Sequence, residues 1–566
     1  MGSDERAAAW GRLGSDEFDV LVVGGGVTGA GVALDAATRG LRVALVEARD
    51  FASGTSSRSS KLFHGGLRYL EQLNFGLVRE ALRERELMLT RLAPHLVKPV
   101  SFLYPLTHRF WERPYVGAGL ALYDTMGGAR SVPHHRHYTR TGARRIAPAL
   151  KPSAMTGALL YHDAQADDAR HTMTVARTAV SYGATVLNSA EVVGFLHAGE
   201  RIVGARVRDV ETGDQTEVRA SVVVNATGVW TDAVQTMAGG RGRFHVRASK
   251  GVHIVVPRDR INSETGLILR TEKSVLFVIP WTTHWIIGTT DTDWNLDLAH
   301  PAASRADLDY ILDHVNAALS VPLSHDDIQG VYAGLRPLLA GESEETSQLS
   351  REHAVARPQP GLVAVAGGKY TTYRLMAADA VDMAATDIPR AVPDSPTANI
   401  PLLGAEGYHA MVNQVSGLAE QYRLPAWQIE RLLGRYGSLT SEVLAPADTN
   451  PTMLEPLNEA QEYLGVEYTY AASHEAALHI DDLLARRTRV SIETPDRGVE
   501  VARAAAAVVA PVLGWDQERQ DNEVAAYQAR VMAERESQQQ GDDLAADAAR
   551  VAAPDTRRVA VGRALE

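Results

Sequence analysis

The sequence contains no cysteine in 566 residues. That excludes disulfides, a thiol nucleophile, a thiolate-held metal or cluster, and a flavin attached through sulfur. An excess of basic charge is also missing. The net charge is −12 at pH 7, which argues against nucleic acid as a partner, because a phosphate backbone needs a basic face. An acidic chain can still hold an anionic substrate where a few Arg and Lys converge. Long apolar runs are absent too. The longest weakly polar stretch, Ala504 to Trp515, is too short to span a bilayer and contains Pro511. Met1 to Glu17 is polar and mixed in charge, so no secretory signal is expected there. What remains is ordinary globular usage, 45% hydrophobic and 22% charged, over a length that predicts two or three domains.

Phe18 to Gly24 reads as a buried strand, Val27 to Arg39 as a helix, and Arg42 to Glu47 as a second strand. Together they make a strand–helix–strand unit with parallel strands. Thr185 to Gly228 alternates like an antiparallel meander and feeds an apolar strand, Ser221 to Asn225, that must be buried. Val246 to Asp291 is strand-rich, Arg305 to Leu319 has one apolar helical face, and Gly361 to Ala366 is a buried strand before Gly367-Gly368. The four prolines of Pro389 to Pro401 predict a linker. Trp427 to Tyr436, Glu475 to Arg487 and Val499 to Ala510 read as helices, and the Ala/Asp/Gln/Arg-rich end from about Ser537 reads as frayed.

Gly24-Gly25-Gly26-Val27-Thr28-Gly29 places GxGxxG between a strand and a helix. Gly24 permits the tight turn, Gly26 lets backbone approach a pyrophosphate, and Gly29 lets helix and strand pack closely. The helix N-terminus, with Thr28 in its first turn, then offers N–H groups to the phosphates. Glu47 ends the second strand where a carboxylate accepts ribose hydroxyls and repels a 2′-phosphate, which disfavours NADP. FAD is favoured over NAD on three counts. Ala226-Thr227-Gly228 follows a buried strand as a second nucleotide contact, the chain returns to the first sheet near Gly368, and no second GxGxxG exists for a pyridine nucleotide.

The run Ser56-Ser57-Arg58-Ser59-Ser60-Lys61-Leu62-Phe63-His64-Gly65-Gly66-Leu67-Arg68-Tyr69-Leu70-Glu71 resembles the FAD-dependent glycerol-3-phosphate dehydrogenase family. So do Tyr161 to Arg170, Lys250 to Pro257, Gly334-Leu335-Arg336-Pro337, and Gly367 to Arg374, in family order. Phe63 and Tyr370 depart from the residues usual at their positions. The resemblance implies an α/β fold: a glutathione-reductase-like FAD-binding domain, an antiparallel-sheet substrate domain and a C-terminal helical domain. The expected division is 18–95, 161–235 and 331–388 for the FAD-binding domain, and 96–160 and 236–330 for the substrate domain. A linker at 389–401, a helical domain at 402–536 and a flexible tail at 537–566 complete it.

The implied reaction oxidises sn-glycerol 3-phosphate by hydride transfer to non-covalent FAD, with a quinone, or in an oxidase branch oxygen, as acceptor. Phosphate calls for Arg, whose planar fork makes bidentate charge-assisted bonds. Arg336, Arg68 and Arg351 match the clamp, with Tyr69 as a hydroxyl donor and Lys369 and Thr371 at the substrate hydroxyls or flavin edge. Ser60, Lys61, His64, Gly65 and Thr372 are expected around the flavin. For the proton acceptor, His253 and His64 both stand open. The cluster of His134, His135 and His137 reads as a solvated loop rather than a metal site. An amine or amino-acid oxidase, which holds a single carboxylate, is the alternative on the same fold, and a flavin-binding scaffold is the non-enzymatic one. A quinone acceptor implies peripheral attachment to the inner face of the cell membrane from a cytoplasmic protein, and a homodimer is the assembly considered. His108 to Tyr123 combines cationic, aromatic and apolar residues beside the basic stretch Arg130 to Arg145; Trp111 and Tyr115 are read there either as core or as a lipid-facing edge.

Overall fold

The computed structural model describes residues 1–66, 68–71, 74–108, 110–126, 131–239, 245–272, 275–340 and 352–557, with backbone alone for Arg68 and Glu71. Two sheets organise these residues. The first has eight strands among the described residues, with Leu362–Gly367, Gln215–Asn225, Glu17–Val23 and Val43–Val46 parallel at its centre. Val20, Val22, Val222 and Val224 are fully buried, because the helices Val27–Thr38, Asp168–Ser181 and Tyr373–Ala385 cover one face and parallel strands need both faces covered. The meander packs antiparallel onto the same sheet, Ala190–Ala198 against Arg201–Asp209 and that strand against Gln215–Asn225.

The second sheet has ten strands among the described residues and is largely antiparallel. Val275–Trp281 and His284–Gly288 pair antiparallel within it, and the helix Arg305–Ala318 packs Leu308, Ile311 and Val315 against one face. Two expected domain boundaries shift. The division at 161 falls inside Gly157–Gln165, which pairs along its length with Lys98–Leu106 in the second sheet. Gly330–Leu339, expected in the nucleotide domain, pairs antiparallel with Val246–Pro257 and so also belongs to the second sheet.

The C-terminal region is helical, but two expectations fail there. Glu475 to His479 is not helical, although Glu475 to Arg487 reads as one helix in sequence; the preceding helix, Gly465–His474, ends there, and helical turns resume only at Ile480–Asp482 and Leu483–Arg487. Ala476 stands at φ +54, and buried Glu475 is committed to an ion pair with Arg170 of the nucleotide domain. The described part of the segment after Ser537, up to Arg557, is not frayed, and 558–566 lie outside the described residues. Asp543–Val551 is a helix capped by the Asp542 side chain, Ala546 is fully buried, and Arg557 pairs with Asp482 at 2.7 Å. Its charged residues look like a solvated tail only while their partners, far away in sequence, are unknown.

Candidate functional site

The first strand ends at Gly24, whose φ of +110 disfavours any other residue. A Cβ there would sit 2.8 Å from the carbonyl oxygen of Ala226, and one at Gly29 would sit 1.8 Å from the carbonyl oxygen of Gly24. Both positions are therefore closed to side chains. The N–H of Val27 donates to Ser56 Oγ at 2.9 Å, which draws the Ser-rich loop over the helix start. Glu47 lies just past the second strand and accepts from Gly25 N–H at 2.6 Å and Arg49 N–H at 2.8 Å. Burial raises its pKa, and those two N–H groups oppose the rise.

A cavity of about 340 Å³ opens from this turn. Gly24, Gly26, Thr28, Glu47, Ala226 and Gly228 line one part of it; Ser60, His64, Tyr69, His253, Arg336, Gly368, Lys369 and Thr371 line the rest. Thus residues spread over more than three hundred positions converge because three central strands of the first sheet end beside the edge of the second.

Arg336 projects from a strand that lies opposite Ser249 in register. Its guanidinium reaches Ser249 Oγ and Asp291 Oδ1 at 3.3 Å, Thr289 Oγ1 at 3.1 Å and the Thr290 carbonyl at 3.2 Å. His253 faces Tyr332 across the same strand pair and stacks on it at 4.8 Å. Its Nε2 is 2.9 Å from Ser60 Oγ. Burial first, then the charges of Arg336 and Lys61, push its pKa well below the ordinary value, so the ring is neutral. Lys369 Nζ stands 3.6 Å from the centre of the Tyr69 ring. Thr371 Oγ1 accepts from His64 N–H at 3.2 Å.

Four expected residues do not line the cavity. Lys61 turns its ammonium away into a 2.7 Å ion pair with Asp168 and donates to the Ser57 carbonyl, so it anchors the loop from below instead of facing a cofactor. Gly65 donates its N–H to Tyr123 Oη at 2.8 Å; a Cβ there would strike Leu82. Thr372 is buried and its hydroxyl donates to the Lys369 carbonyl at 3.3 Å. Gly29 acts through helix packing alone. Arg351, and the side chain of Arg68, lie outside the described residues. Sequence reading missed Arg49, Ser56, Trp230 and Met376, which line the cavity. Ser56 stood within the Ser-rich run already marked, whereas nothing in the sequence flagged Trp230 or Met376.

The arrangement fits FAD: a glycine turn closed to Cβ atoms at a helix start, a carboxylate placed for ribose hydroxyls, and a Ser/His loop continuing along one cavity. Comparison with known proteins agrees. Residues 19–380 match the FAD dependent oxidoreductase family, and residues 395–520 match the C-terminal domain of alpha-glycerophosphate oxidase. The chain is 65% identical over 557 residues to glycerol-3-phosphate dehydrogenase 2 of Mycobacterium bovis, covering 98% of this chain and 95% of that protein. It is 35% identical to the mitochondrial glycerol-3-phosphate dehydrogenase of Bos taurus, covering 90% of this chain and 72% of that protein. The crystal structure of the glycerol-3-phosphate dehydrogenase from Bacillus halodurans complexed with FAD superposes with a TM-score of 0.78 at 28% identity, covering 94% of this chain and 97% of that one.

Proposed function

This chain belongs to the FAD-dependent glycerol-3-phosphate dehydrogenase family, and from that premise we propose that it oxidises sn-glycerol 3-phosphate to dihydroxyacetone phosphate and passes the electrons to a membrane quinone. The observation that carries the reading is the single cavity that joins the nucleotide turn at Gly24 and Gly26 to Arg336, Lys369 and His253. Bound FAD supplies the hydride acceptor. The protein must hold the phosphate, aim the C2–H bond and take the hydroxyl proton.

In this reading Arg336 binds phosphate, oriented by the hydroxyls of Ser249 and Thr289 and by Asp291. Arg68 and Arg351 enter through the family pattern. Lys369, held over the Tyr69 ring, and Thr371 take the remaining substrate oxygens. His253 accepts the proton. Its neutrality leaves a ring nitrogen with a lone pair, and a dianionic phosphate on Arg336 cancels part of the repulsion that holds its pKa down. Glu47 takes the adenosine ribose, and Ser60, His64 and Gly368 line the flavin.

The quinone reading draws support from the surface. No helix among the described residues is long and apolar enough to cross a membrane, so access to a lipid-dissolved acceptor has to come from a face. Phe110 is 88% exposed, and Trp111 and Tyr115 each 52%, so the core reading of Trp111 and Tyr115 fails. Phe110 and Trp111 precede the helix Glu112–Met126, which carries exposed Tyr115 and Leu122, and Arg136, Arg140, Arg144 and Arg145 are exposed on neighbouring elements. Exposed aromatic and basic residues on neighbouring elements suit an anionic lipid surface.

The test is anaerobic addition of glycerol 3-phosphate to the purified yellow protein, followed by reoxidation with a quinone or with oxygen, alongside co-sedimentation with anionic vesicles. Bleaching, rapid quinone reduction and salt-sensitive vesicle binding are expected. Hydrogen peroxide as the main reduced product, from protein that stays in the supernatant, would move the chain to the oxidase branch.

A further inference from the structure

A second space of about 130 Å³ lies where the nucleotide domain, the second sheet, the helical domain and the C-terminal segment meet. A single water needs on the order of 10–15 Å³ on this scale, so a five-atom oxyanion fits with water around it. Arg49, Ser53 and Arg58 line both this space and the cofactor cavity.

The guanidinium of Arg58 belongs to the second space. Its Nη1 donates to the carbonyl of Ala299 at 3.2 Å, a residue of that wall alone. The charges that act on it most, Arg550, Arg486, Arg530 and Asp481, are all on the same wall. No carboxylate among the described residues is within ion-pair distance of Arg58. The acidic residues around it already have partners: Asp50, Asp481, Asp482 and Glu534 pair with Arg486, Arg487, Arg530, Arg550 and Arg557, Glu523 with His479 and Arg519, and Asp555 with Arg49 and His300. Burial and three neighbouring guanidinium groups pull the pKa of Arg58 down to about 10, the mark of a cation short of a counter-charge. Arg550 is only loosely held, 3.4 Å from Glu534 and 3.4 Å from His300. Its pKa too is lowered, by burial first.

Arg550 is buried and Arg58 half-buried, and a cation drawn out of water in this way favours a counter-charge. We propose that this space is a second anion site, distinct from the substrate clamp, which takes a compact phosphate-class oxyanion between Arg58 and Arg550. Ser57 lines the same wall. Arg550 comes from the C-terminal segment and Arg58 from the loop that borders the cofactor cavity. An anion between them joins the segment to the nucleotide domain and stabilises the assembled protein, as any ligand confined to the native state does. The site has the charge and size for inorganic phosphate or the phosphate group of a small metabolite.

The experiment titrates inorganic phosphate, at constant ionic strength with chloride as the balancing anion, into holoenzyme carrying Arg336→Leu, which weakens the substrate clamp. Calorimetric stoichiometry and unfolding temperature are read together. One bound phosphate and a higher unfolding temperature are expected, with affinity at least tenfold weaker once Arg58→Leu, or separately Arg550→Gln, is added. No binding to the Arg336→Leu holoenzyme, or binding that neither added change weakens, overturns the proposal. If Arg58→Leu does not fold, Arg550→Gln decides alone. The clamp is judged separately, by glycerol 3-phosphate affinity in Arg336→Leu, so the two readings fail independently.

Discussion

The seam beneath the helical domain and the wall of the cofactor cavity are both rich in charge, yet they use it differently. In the seam, Asp50 accepts from Arg486 at 2.5 Å and from Arg487 at 2.7 and 2.8 Å, and all three side chains are at most 6% exposed. Arg489 bridges Asp167 and Asp168 at 2.5 Å each, and Asp168 also holds Lys61. In the cavity, Glu47 accepts from backbone N–H groups, and Arg336 meets hydroxyl and carbonyl oxygens together with Asp291. The seam's charges neutralise one another and join domains. Those of the cavity have neutral partners as well as ionic ones and border a space open to a ligand. Substitutions in the two regions should therefore fail in different assays.

The largest effect is expected for Asp50→Ala, which strands the buried guanidinium of Arg487 and removes one of three carboxylates from Arg486. Breaking one side of such a network costs about 3–5 kcal/mol of stability, and chemical denaturation should show it whether or not FAD is present. A loss under about 1 kcal/mol would mean that the seam does not join the domains. Next comes a pH effect at His479, which is 2% exposed and lies 2.9 Å from Glu523 and 3.1 Å from Glu211. Burial and Arg557 lower its pKa, but the two carboxylates outweigh them and raise it to about 9. A raised folded-state value contributes stability in full below the unfolded pKa near 6.5, and loses it as pH rises through 9. Wild type should exceed His479→Gln by at most about 3 kcal/mol at pH 6, and the gap should close by pH 9.5. A gap that stays constant across that range refutes the assignment.

The two regions also differ in how far the sequence discloses them. Gly24, Gly26 and Gly29 could be read from spacing because one local unit, a strand, a turn and a helix, dictates all three. The Val275–Trp281 and His284–Gly288 pair is local in the same way. The seam is not, since its partners are hundreds of positions apart: Asp50 with Arg487, Arg170 with Glu475, Arg557 with Asp482. Lys61 shows the limit within a strong motif. The motif marked the loop, but only the fold decides that its ammonium points down to Asp168 and not into the cavity. The C-terminal segment failed for a related reason: composition counts its charges without seeing what they meet.

On the cavity side, Arg336→Leu should keep its yellow colour and its folding stability but bind glycerol 3-phosphate more weakly by about 1.5–3 kcal/mol, the worth of one charge-assisted contact. Equilibrium titration of the oxidised enzyme with substrate analogue reads this directly. Undiminished affinity would remove Arg336 from the clamp and weaken the contrast between cavity and seam.

The smallest effect should be Glu47→Ala. Its carboxylate accepts two backbone N–H bonds from within the protein, so the change has two consequences of different size. Glu47 and Arg49 line the cavity, so truncation lets water reach the freed N–H groups of Gly25 and Arg49, which limits the structural loss. The ribose, however, loses a charged acceptor, and that should loosen FAD by roughly tenfold, or about 1.4 kcal/mol. Dialysis against FAD-free buffer, followed by absorbance of the retained flavin, measures it, and added FAD should restore occupancy. If Glu47→Ala instead unfolds more easily even at saturating FAD, Glu47 behaves like Asp50. Its place would then be with the charges that hold the protein together, not with those that hold its ligands.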